Sequence, residues 1–125
     1  MDPIVPDEMK GVSVPLSPGY EAGDFVFVSG QIPQDPATGQ IVGEDIGEQT
    51  TQTIRNIETV LDAADLGLAD VVKTQVFLTD VELFTGMNEA YAAAFPEPYP
   101  ARSAFEIGDL AADILVEIEA FAYRG

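Results

Sequence analysis

A long amphipathic helix is the feature that most constrains the fold of this chain. Within residues 44–67, apolar or small residues recur every three or four positions: Ile46, Thr50, Ile54, Ile57, Leu61 and Ala64. This spacing places them on one face of an α-helix, which must be buried against another layer. Asp45 and Glu48 have the spacing of an N-terminal cap, and Gly67 lies near the expected helix end.

Strand patterns lie on both sides of this helix. The segments 24–32 and 70–78 are rich in β-branched and aromatic residues. The first follows a turn-like stretch, 17–23, and precedes segment 33–43, whose Pro, Asp and Gly content predicts a long hairpin or β-turn connection. The second alternates, with Val72, Thr74, Val76 and Leu78 on one face and Val71, Lys73, Gln75 and Phe77 on the other.

The remaining elements complete an α+β pattern. A second helix is predicted over residues 80–95, and two further strands over 101–107 and 113–123. The order is strands, helix, strand, helix, strands. We therefore expect one domain spanning residues 1–125, a mixed β-sheet with the two helices packed on one face.

The last strand is apolar on both faces. One face carries Ile114, Val116, Ile118, Ala120 and Ala122, and the other carries Leu115, Glu117, Glu119, Phe121 and Tyr123. A face open to water is usually more uniformly polar. Because two helices cannot cover both faces of the sheet, the second face is expected to lie against another copy of the chain, which predicts a homo-oligomer.

The charge of the chain is strongly acidic. It has 22 acidic and five basic residues, for a net charge of −17. This excess favours a halophilic host with a salt-rich cytoplasm, where the Debye length falls to about 3 Å at 1 M and self-repulsion is screened. The acidic residues are scattered rather than clustered, and nucleic-acid binding is disfavoured because it usually shows a basic surface.

Several kinds of active site are excluded by composition. The chain has no His and no Cys, so a Ser-His-Asp triad, a thiol nucleophile and a typical zinc site cannot form. Catalysis would have to use carboxylates, Arg, Lys, Tyr, hydroxyls, backbone groups or water. No stretch approaches the ~18 apolar residues of a membrane span. No secretory signal is visible either, so we expect a cytoplasmic location.

Three polar residues stand where apolar ones are expected. Asn88 interrupts the apolar stripe of the second helix, Glu117 shares a strand face with aromatic residues, and Arg102 lies in the stretch PYPARSAF. Each alone is more often structural, as a capping amide, a solvated rim carboxylate or an ion-paired Arg. Together they suit a small anionic ligand, because Arg binds carboxylates through a planar fork and a Glu in apolar surroundings can exchange a proton with water.

Neighbouring residues could complete such a pocket. Ser29 and Gly30 end the strand FVFVSG and could supply a hydroxyl and a close backbone approach, because Gly lacks a Cβ. Glu119 shares a strand face with Glu117. The spacing alone leaves open which of the two is the working acid.

The chain also resembles a known family. The segments FVFVSGQIPQDPATGQIVG, EQTTQTIRNIETVLDAADLGLADVVKTQVFLTD, MNEAYAAAF, PARS and VEIEA run in the same order as in the Rid (reactive intermediate deaminase, YjgF-like) family, closest to the RidA type. The resemblance spans residues 23–123. It implies a chorismate-mutase-like domain, a homotrimer with ligand clefts between subunits, and hydrolysis of 2-iminobutanoate or 2-iminopropanoate to 2-keto acids and ammonia.

The resemblance also implies roles for individual residues. Arg102 of PARS would bind the substrate carboxylate, and Glu117 would position and deprotonate the attacking water. No metal or organic cofactor would be needed. The pocket would be lined by Ser29, Gly30, Asn88, Arg102 and Ala104.

The chain departs from the RidA pattern in places that bear on its substrate. Leu16 stands where RidA proteins have a cleft Tyr, with Tyr20 further along, and Ala104 replaces the usual Cys. The loop before PARS is also shorter. An alternative function is a non-catalytic trimer that binds small carboxylates and regulates partners, which needs Arg102 but not Glu117. Ribonuclease activity, attributed to some relatives, is disfavoured by the acidic composition and the lack of His.

Overall fold

A six-stranded mixed sheet forms one layer of the fold. We describe it from a computed structural model that covers residues 1–11 and 13–125. The strands are β1 (Asp2–Ile4), β2 (Gly19–Ala22), β3 (Phe25–Gln31), β4 (Val71–Leu78), β5 (Ala101–Glu106) and β6 (Val116–Tyr123), and the helices are α1 (Ile46–Asp62) and α2 (Phe84–Ala94). The strand order is β1-β2-β3-β6-β4-β5, with β4 and β5 parallel and the other neighbours antiparallel.

Helix α1 begins as its sequence predicts. The Asp45 carboxylate accepts a hydrogen bond from the Glu48 backbone N–H at 2.8 Å, which satisfies one of the free donors of the first turn. The helix ends at Asp62, earlier than the position of Gly67 indicates. Asp65, with φ of 59°, takes the left-handed conformation that reverses the chain, which Asp tolerates better than most residues.

The buried face of α1 also carries Asn and Gln side chains that form hydrogen bonds with backbone groups outside the helices and strands. The Asn56 side-chain amide donates to the carbonyls of Ile32 and Gln34, each at 2.8 Å. The Gln49 side-chain carbonyl accepts from the Leu115 N–H at 2.8 Å. These bonds satisfy backbone groups outside the sheet ladder. They also anchor the end of β3 and the start of β6 to the helix.

The alternation predicted for β4 is wrong at its beginning. Val71 is buried and Val72 is 44% exposed, the reverse of the expected faces. The pairing of β4 with β6 shifts register between Val71 and Lys73, and such a bulge turns the preceding residues to the other face. From Thr74 onward the alternation is as predicted.

Two N-terminal strands were not predicted. The stretch 17–23, expected to be a turn, contains β2, which pairs with β3 across a tight turn at Gly23 (φ of 59°). The short strand β1 extends this edge. The connection over 33–43 does form a hairpin-like loop, closed by a bridge between Gln34 and Ile41.

The helices cover one face of the sheet and leave the other face open in the single chain. Both helices pack on one face, where the buried strand residues include Val26, Val28, Thr74, Val76, Leu78, Val116, Ile118, Ala120 and Ala122. The opposite face carries aromatic pairs, with ring centroids 5.1 Å apart for Phe25–Tyr123, 5.6 Å for Phe27–Phe121 and 5.9 Å for Phe77–Phe105. The face assignment of the last strand is therefore confirmed. Among the described residues, no helix has the length and apolar character needed to cross a membrane.

Candidate functional site

Arg102 is held on one turn of α2 by neutral groups. It pairs with Thr74 in the β4–β5 register, so its side chain projects from the face of the sheet that the helices cover. Its Nη1 donates to Asn88 Oδ1 at 2.8 Å and lies 3.8 Å from the Met87 sulfur. The guanidinium carbon stands 5.1 Å from the centroid of the Tyr91 ring, within the range of a cation–π contact.

The ring beneath Arg102 is itself fixed. The Tyr91 hydroxyl and the Thr74 hydroxyl share a buried hydrogen bond of 2.7 Å, and Phe95 packs against the ring with centroids 4.5 Å apart. Burial raises the pKa of the Tyr91 phenol, although the Thr74 hydrogen bond and the Arg102 charge oppose this. The phenol therefore stays neutral at ordinary pH, and the Arg102 guanidinium contacts an uncharged ring.

Arg102 makes no ion pair with any described residue. Two other cations do, since Lys10 lies 2.7 Å from Asp7 and Arg124 lies 2.7 Å from Glu21. Arg55 and Lys73 also contact neutral groups, Gln52 and Ser103, so Arg102 is distinguished by the aromatic ring beneath it and by the cavity that it lines. Its positive charge is therefore available to an anionic ligand.

A cavity opens beside Arg102. It has a volume of about 330 Å³ and is lined by Asn88, Tyr91, Ala92, Tyr99, Pro100 and Arg102. The Nε and Nη2 groups of Arg102 make no hydrogen bond to described residues, so they can bind both oxygens of a carboxylate. Ala104 pairs with Val76 on the same sheet face and packs against the core instead of lining the cavity.

Glu117 lies on the other face of the sheet. It pairs with Phe77 in the β4–β6 register, on the face that carries the aromatic pairs. Its carboxyl is half-buried, and this burial, with a smaller contribution from the Glu119 charge, raises its pKa. A carboxylate with a raised pKa is a better proton acceptor than an ordinary glutamate.

Gly30 lies beside this carboxylate on β3, and Ser29 precedes it in the same strand. A Cβ at Gly30 would overlap the Glu117 carboxylate, so a glycine here leaves the space that the carboxylate occupies. The Ser29 hydroxyl donates to the Ser17 carbonyl at 2.6 Å, and the Ser29 N–H donates to the Pro18 carbonyl at 2.9 Å. Ser29 thus fixes the preceding loop, and its hydroxyl oxygen can still accept a hydrogen bond.

The predicted site residues fall into two groups. Arg102 and Asn88 lie together on the helix side of the sheet, whereas Glu117 and Gly30 lie together on the opposite side. A single chain does not bring the two groups together. Because paired residues of neighbouring strands point to the same face, Arg102 points with Thr74 to the helix side and Glu117 points with Phe77 to the other side.

The predicted orientation of α2 around its axis is wrong at Asn88. Met87, Tyr91 and Phe95 form the buried stripe, while Asn88 is exposed beside it and interrupts nothing. The helix also starts at Phe84, after a 3-10 turn, instead of at residue 80. Tyr91 was thus missed as the support of Arg102, although its spacing of three residues from Asn88 was the available signal.

Two residues predicted near the site, Leu16 and Tyr20, lie elsewhere, and two residues that line the cavity were not predicted. Leu16 and Tyr20 are 52% and 40% exposed, and neither lines the cavity at Arg102. Tyr20 pairs with Phe27 at the β2–β3 ladder. Tyr99 and Pro100 were not predicted as cavity walls, because no local pattern shows that residues 96–100 lie against α2.

Comparisons with known proteins agree with this architecture. Residues 9–124 match the family described as Endoribonuclease L-PSP. The chain is 50% identical over 110 residues to a RutC family protein of Pyrococcus horikoshii, covering 88% of this chain and 87% of the relative. It is 42% identical over 113 residues to the 2-iminobutanoate/2-iminopropanoate deaminase of Salmonella typhimurium, covering 88% of each.

A solved structure extends the similarity to the whole fold. The crystal structure of E. coli TdcF with bound serine superposes with a TM-score of 0.93 at 36% identity, covering 100% of both chains. The family match extends over nearly the whole chain, and the two curated relatives each exceed 40% identity. This chain belongs to the Rid (YjgF-like) family, whose family model carries the description Endoribonuclease L-PSP.

Proposed function

We propose that this protein is an imine deaminase that hydrolyses reactive 2-imino acids, such as 2-iminobutanoate and 2-iminopropanoate, to 2-keto acids and ammonia. The observation that carries the proposal is the Arg102 guanidinium, which has neutral partners only and stands at a cavity of about 330 Å³. The relative of Salmonella typhimurium that bears this activity in its name is 42% identical. In the cell the reaction would protect pyridoxal-phosphate enzymes from their own by-products.

Arg102 would bind and orient the substrate. Its free Nε and Nη2 groups would each donate to one carboxylate oxygen, a geometry that fixes the plane of the carboxylate. The imine carbon is adjacent to that carboxylate, so holding the carboxylate also fixes the position of the reacting carbon. Such orientation supplies much of the rate enhancement where the substrate is already electrophilic.

Glu117 would serve as the proton acceptor for water. As the water oxygen attacks the imine carbon, the π-electron pair of the C=N bond moves to nitrogen and the carboxylate takes one water proton. The carboxylate passes that proton to the nitrogen, which gives a neutral tetrahedral carbinolamine. The carbinolamine hydroxyl then gives its proton to the carboxylate as a C=O bond forms and the C–N bond breaks, and the nitrogen takes up this proton and leaves as ammonia. The raised pKa of Glu117 suits it to accept and return that proton. The scheme uses side chains and water alone.

A second copy of the chain would complete the site. Arg102 and Glu117 leave opposite faces of one sheet, so a pocket that uses both must take them from different copies. The aromatic pairs on the face that bears Glu117 provide the apolar area for such an assembly. The family resemblance implies that the assembly is a homotrimer, with Ser29, Gly30 and Glu117 of one copy facing Arg102 and Asn88 of the next.

The activity can be tested by trapping the imine. An amino-acid oxidase generates 2-iminobutanoate, semicarbazide traps it, and an active deaminase lowers the initial rate of semicarbazone formation. Arg102→Ala and Glu117→Gln should each abolish this effect. Arg55→Ala is the matched control, because Arg55 is exposed on α1, away from both groups of site residues. If wild-type protein in high salt leaves the trapping rate unchanged, catalysis is excluded.

A non-catalytic role as a carboxylate-binding regulator is the second candidate. The observation that favours it is the similarity to TdcF, whose crystal structure contains serine, an amino acid and not an imine. Calorimetry with 2-oxobutanoate separates the two functions. Binding without any acceleration of imine hydrolysis supports the regulator, whereas a Glu117→Gln variant that binds but has lost wild-type turnover supports the enzyme.

A further inference from the structure

We infer that the cavity beside Arg102 is a subsite for the substrate side chain, that it favours 2-imino acids with branched or aromatic apolar side chains over the smallest ones, and that Tyr99 determines this preference. The inference rests on the proposed function, since it assumes that Arg102 binds the substrate carboxylate. It concerns a separate property, the chemical class of the group attached to the imine carbon.

The cavity is lined mainly by apolar and aromatic residues. Ala92, Tyr99 and Pro100 line it together with Tyr91 and the amide of Asn88, and Arg102 is the only charged side chain among the described residues of the lining. None of the described acidic residues lines the cavity, although the chain has 22 of them. A basic side chain would find no counter-ion there, and an acidic one would compete with the substrate carboxylate for Arg102. The lining therefore favours a substrate whose side chain is an uncharged hydrocarbon group.

Tyr99 presents an unpartnered aromatic surface. Its side chain is 47% exposed, and its hydroxyl has no hydrogen bond to described residues. Tyr91, by contrast, has its ring covered by Arg102 and Phe95. A free ring next to a fixed cation suits a ligand with an anionic end and an apolar end, because aromatic rings bury large areas of hydrocarbon or stack on another ring.

The volume also exceeds what a small substrate fills. At about 330 Å³ the cavity equals roughly ten times the ~30 Å³ that one water occupies in the liquid. An imine derived from aminobutyrate has about seven non-hydrogen atoms, one derived from leucine about nine, and one derived from phenylalanine about twelve. In the single chain, the larger two would fill more of this space than the smallest, which would leave more of it to water.

Binding of stable 2-keto acids tests the preference without turnover. Titration calorimetry on the assembled protein should give a Kd for 4-methyl-2-oxopentanoate at least about tenfold lower than for 2-oxobutanoate, because it has two more carbon atoms and each buried methylene contributes a factor of roughly four. Phenylpyruvate should also bind more tightly than 2-oxobutanoate. Equal affinities, or tighter binding of the smallest acid, would overturn the inference.

Two substitutions change the cavity in opposite ways. Tyr99→Ala removes a wall and should reduce the tenfold ratio of Kd values to about threefold or less. Ala92→Leu fills the cavity from an exposed helical position and should invert the ratio, so that 2-oxobutanoate binds more tightly. Val81→Ala, a change at a 59% exposed residue outside the cavity, should leave the ratio as it is. A ratio that none of these variants changes would exclude Tyr99 and Ala92 as walls of the subsite.

The outcomes separate this inference from the proposed function. If the keto acids bind with the expected size order but no imine is hydrolysed faster, the subsite is supported and the deaminase activity is excluded. If imines from alanine and aminobutyrate are hydrolysed rapidly and the one from leucine at no more than the same rate, the activity stands and the subsite is excluded.

Discussion

Arg102 and Glu117 lie on opposite faces of the same β-sheet, two strands apart. The register fixes this relationship, since Arg102 pairs with the inward Thr74 and Glu117 pairs with the outward Phe77. Any chemistry that needs both residues at once must therefore combine two copies of the chain. The residues that touch each of them agree with this division: Asn88 and Tyr91 belong to the first half-site and Gly30 to the second.

Mixed oligomers test this division. Arg102→Ala and Glu117→Gln are each expected to be inactive, yet random co-assembly in equal amounts should restore about one quarter of the wild-type activity, because that fraction of sites pairs an intact Arg102 with an intact Glu117. The measurement is imine hydrolysis after the two variants are unfolded together and refolded. Variants refolded separately and then mixed briefly are the control. Absence of any recovery in co-assembled oligomers of the correct size would place both residues in one chain.

The hydroxyl pair beneath Arg102 should show strong energetic coupling. Tyr91→Phe or Thr74→Val alone leaves a buried hydroxyl without its partner and should lower the free energy of unfolding by about 1–3 kcal/mol. The double variant removes both hydroxyls and should be more stable than the sum of the two losses predicts. Denaturant unfolding of the four proteins measures the coupling. Additive losses would show that the hydroxyls do not interact.

Asn88 offers a substitution that changes charge but not shape. Asn88→Asp would pair a carboxylate with Arg102 across the present 2.8 Å contact and neutralise the cation that a ligand needs. We expect the Kd for 2-oxobutanoate to rise at least about tenfold, and by more than in Asn88→Ala, which removes only the orienting contact. Equal losses in the two variants would show that orientation, not charge, governs binding.

The pH dependence should report the surroundings of Glu117. Since Glu117 must be ionised to accept a proton, activity falls as the pH drops through its pKa, and the raised pKa places this fall above the range of an ordinary glutamate. Burial is the larger cause and the Glu119 charge the smaller one. Glu119→Gln should therefore move the acid limb of kcat/KM to lower pH, whereas Glu58→Gln, on the exposed side of α1, should not. A shift to higher pH in Glu119→Gln would contradict this role.

Gly30 should be needed for turnover more than for binding. In Gly30→Ala the new methyl group would overlap the Glu117 carboxylate and displace it. We expect kcat to fall by about tenfold or more while the Kd for 2-oxobutanoate changes little, because the carboxylate is bound by Arg102 of another copy, whose contacts to Asn88 and Tyr91 do not involve Gly30. Gly67→Ala, at a position with open space around the added carbon, is the control. An unchanged kcat in Gly30→Ala would remove Gly30 from the site.

Local patterns predicted much of the fold. The stripe of α1 and its Asp45 cap depend on residues close together in the chain, and both are confirmed. The errors arose where long-range pairing overrides local preference. The bulge at Val72 exists because β4 must match β6, and β2 forms in a Pro- and Gly-containing stretch because β3 needs a neighbour.

The sequence by itself determined the α+β class, the inward and outward faces of the last strand, the exclusion of His- and Cys-based chemistry, and the prominence of Arg102 and Glu117 as polar groups in apolar surroundings. These follow from periodicity and composition, which need no partner segment. Only the tertiary structure decided that Tyr91 and Thr74 support Arg102, that Tyr99 walls a cavity, and that Glu117 leaves the other face of the sheet. Those relationships depend on strand register and helix rotation, which are set by contacts between segments far apart in the chain.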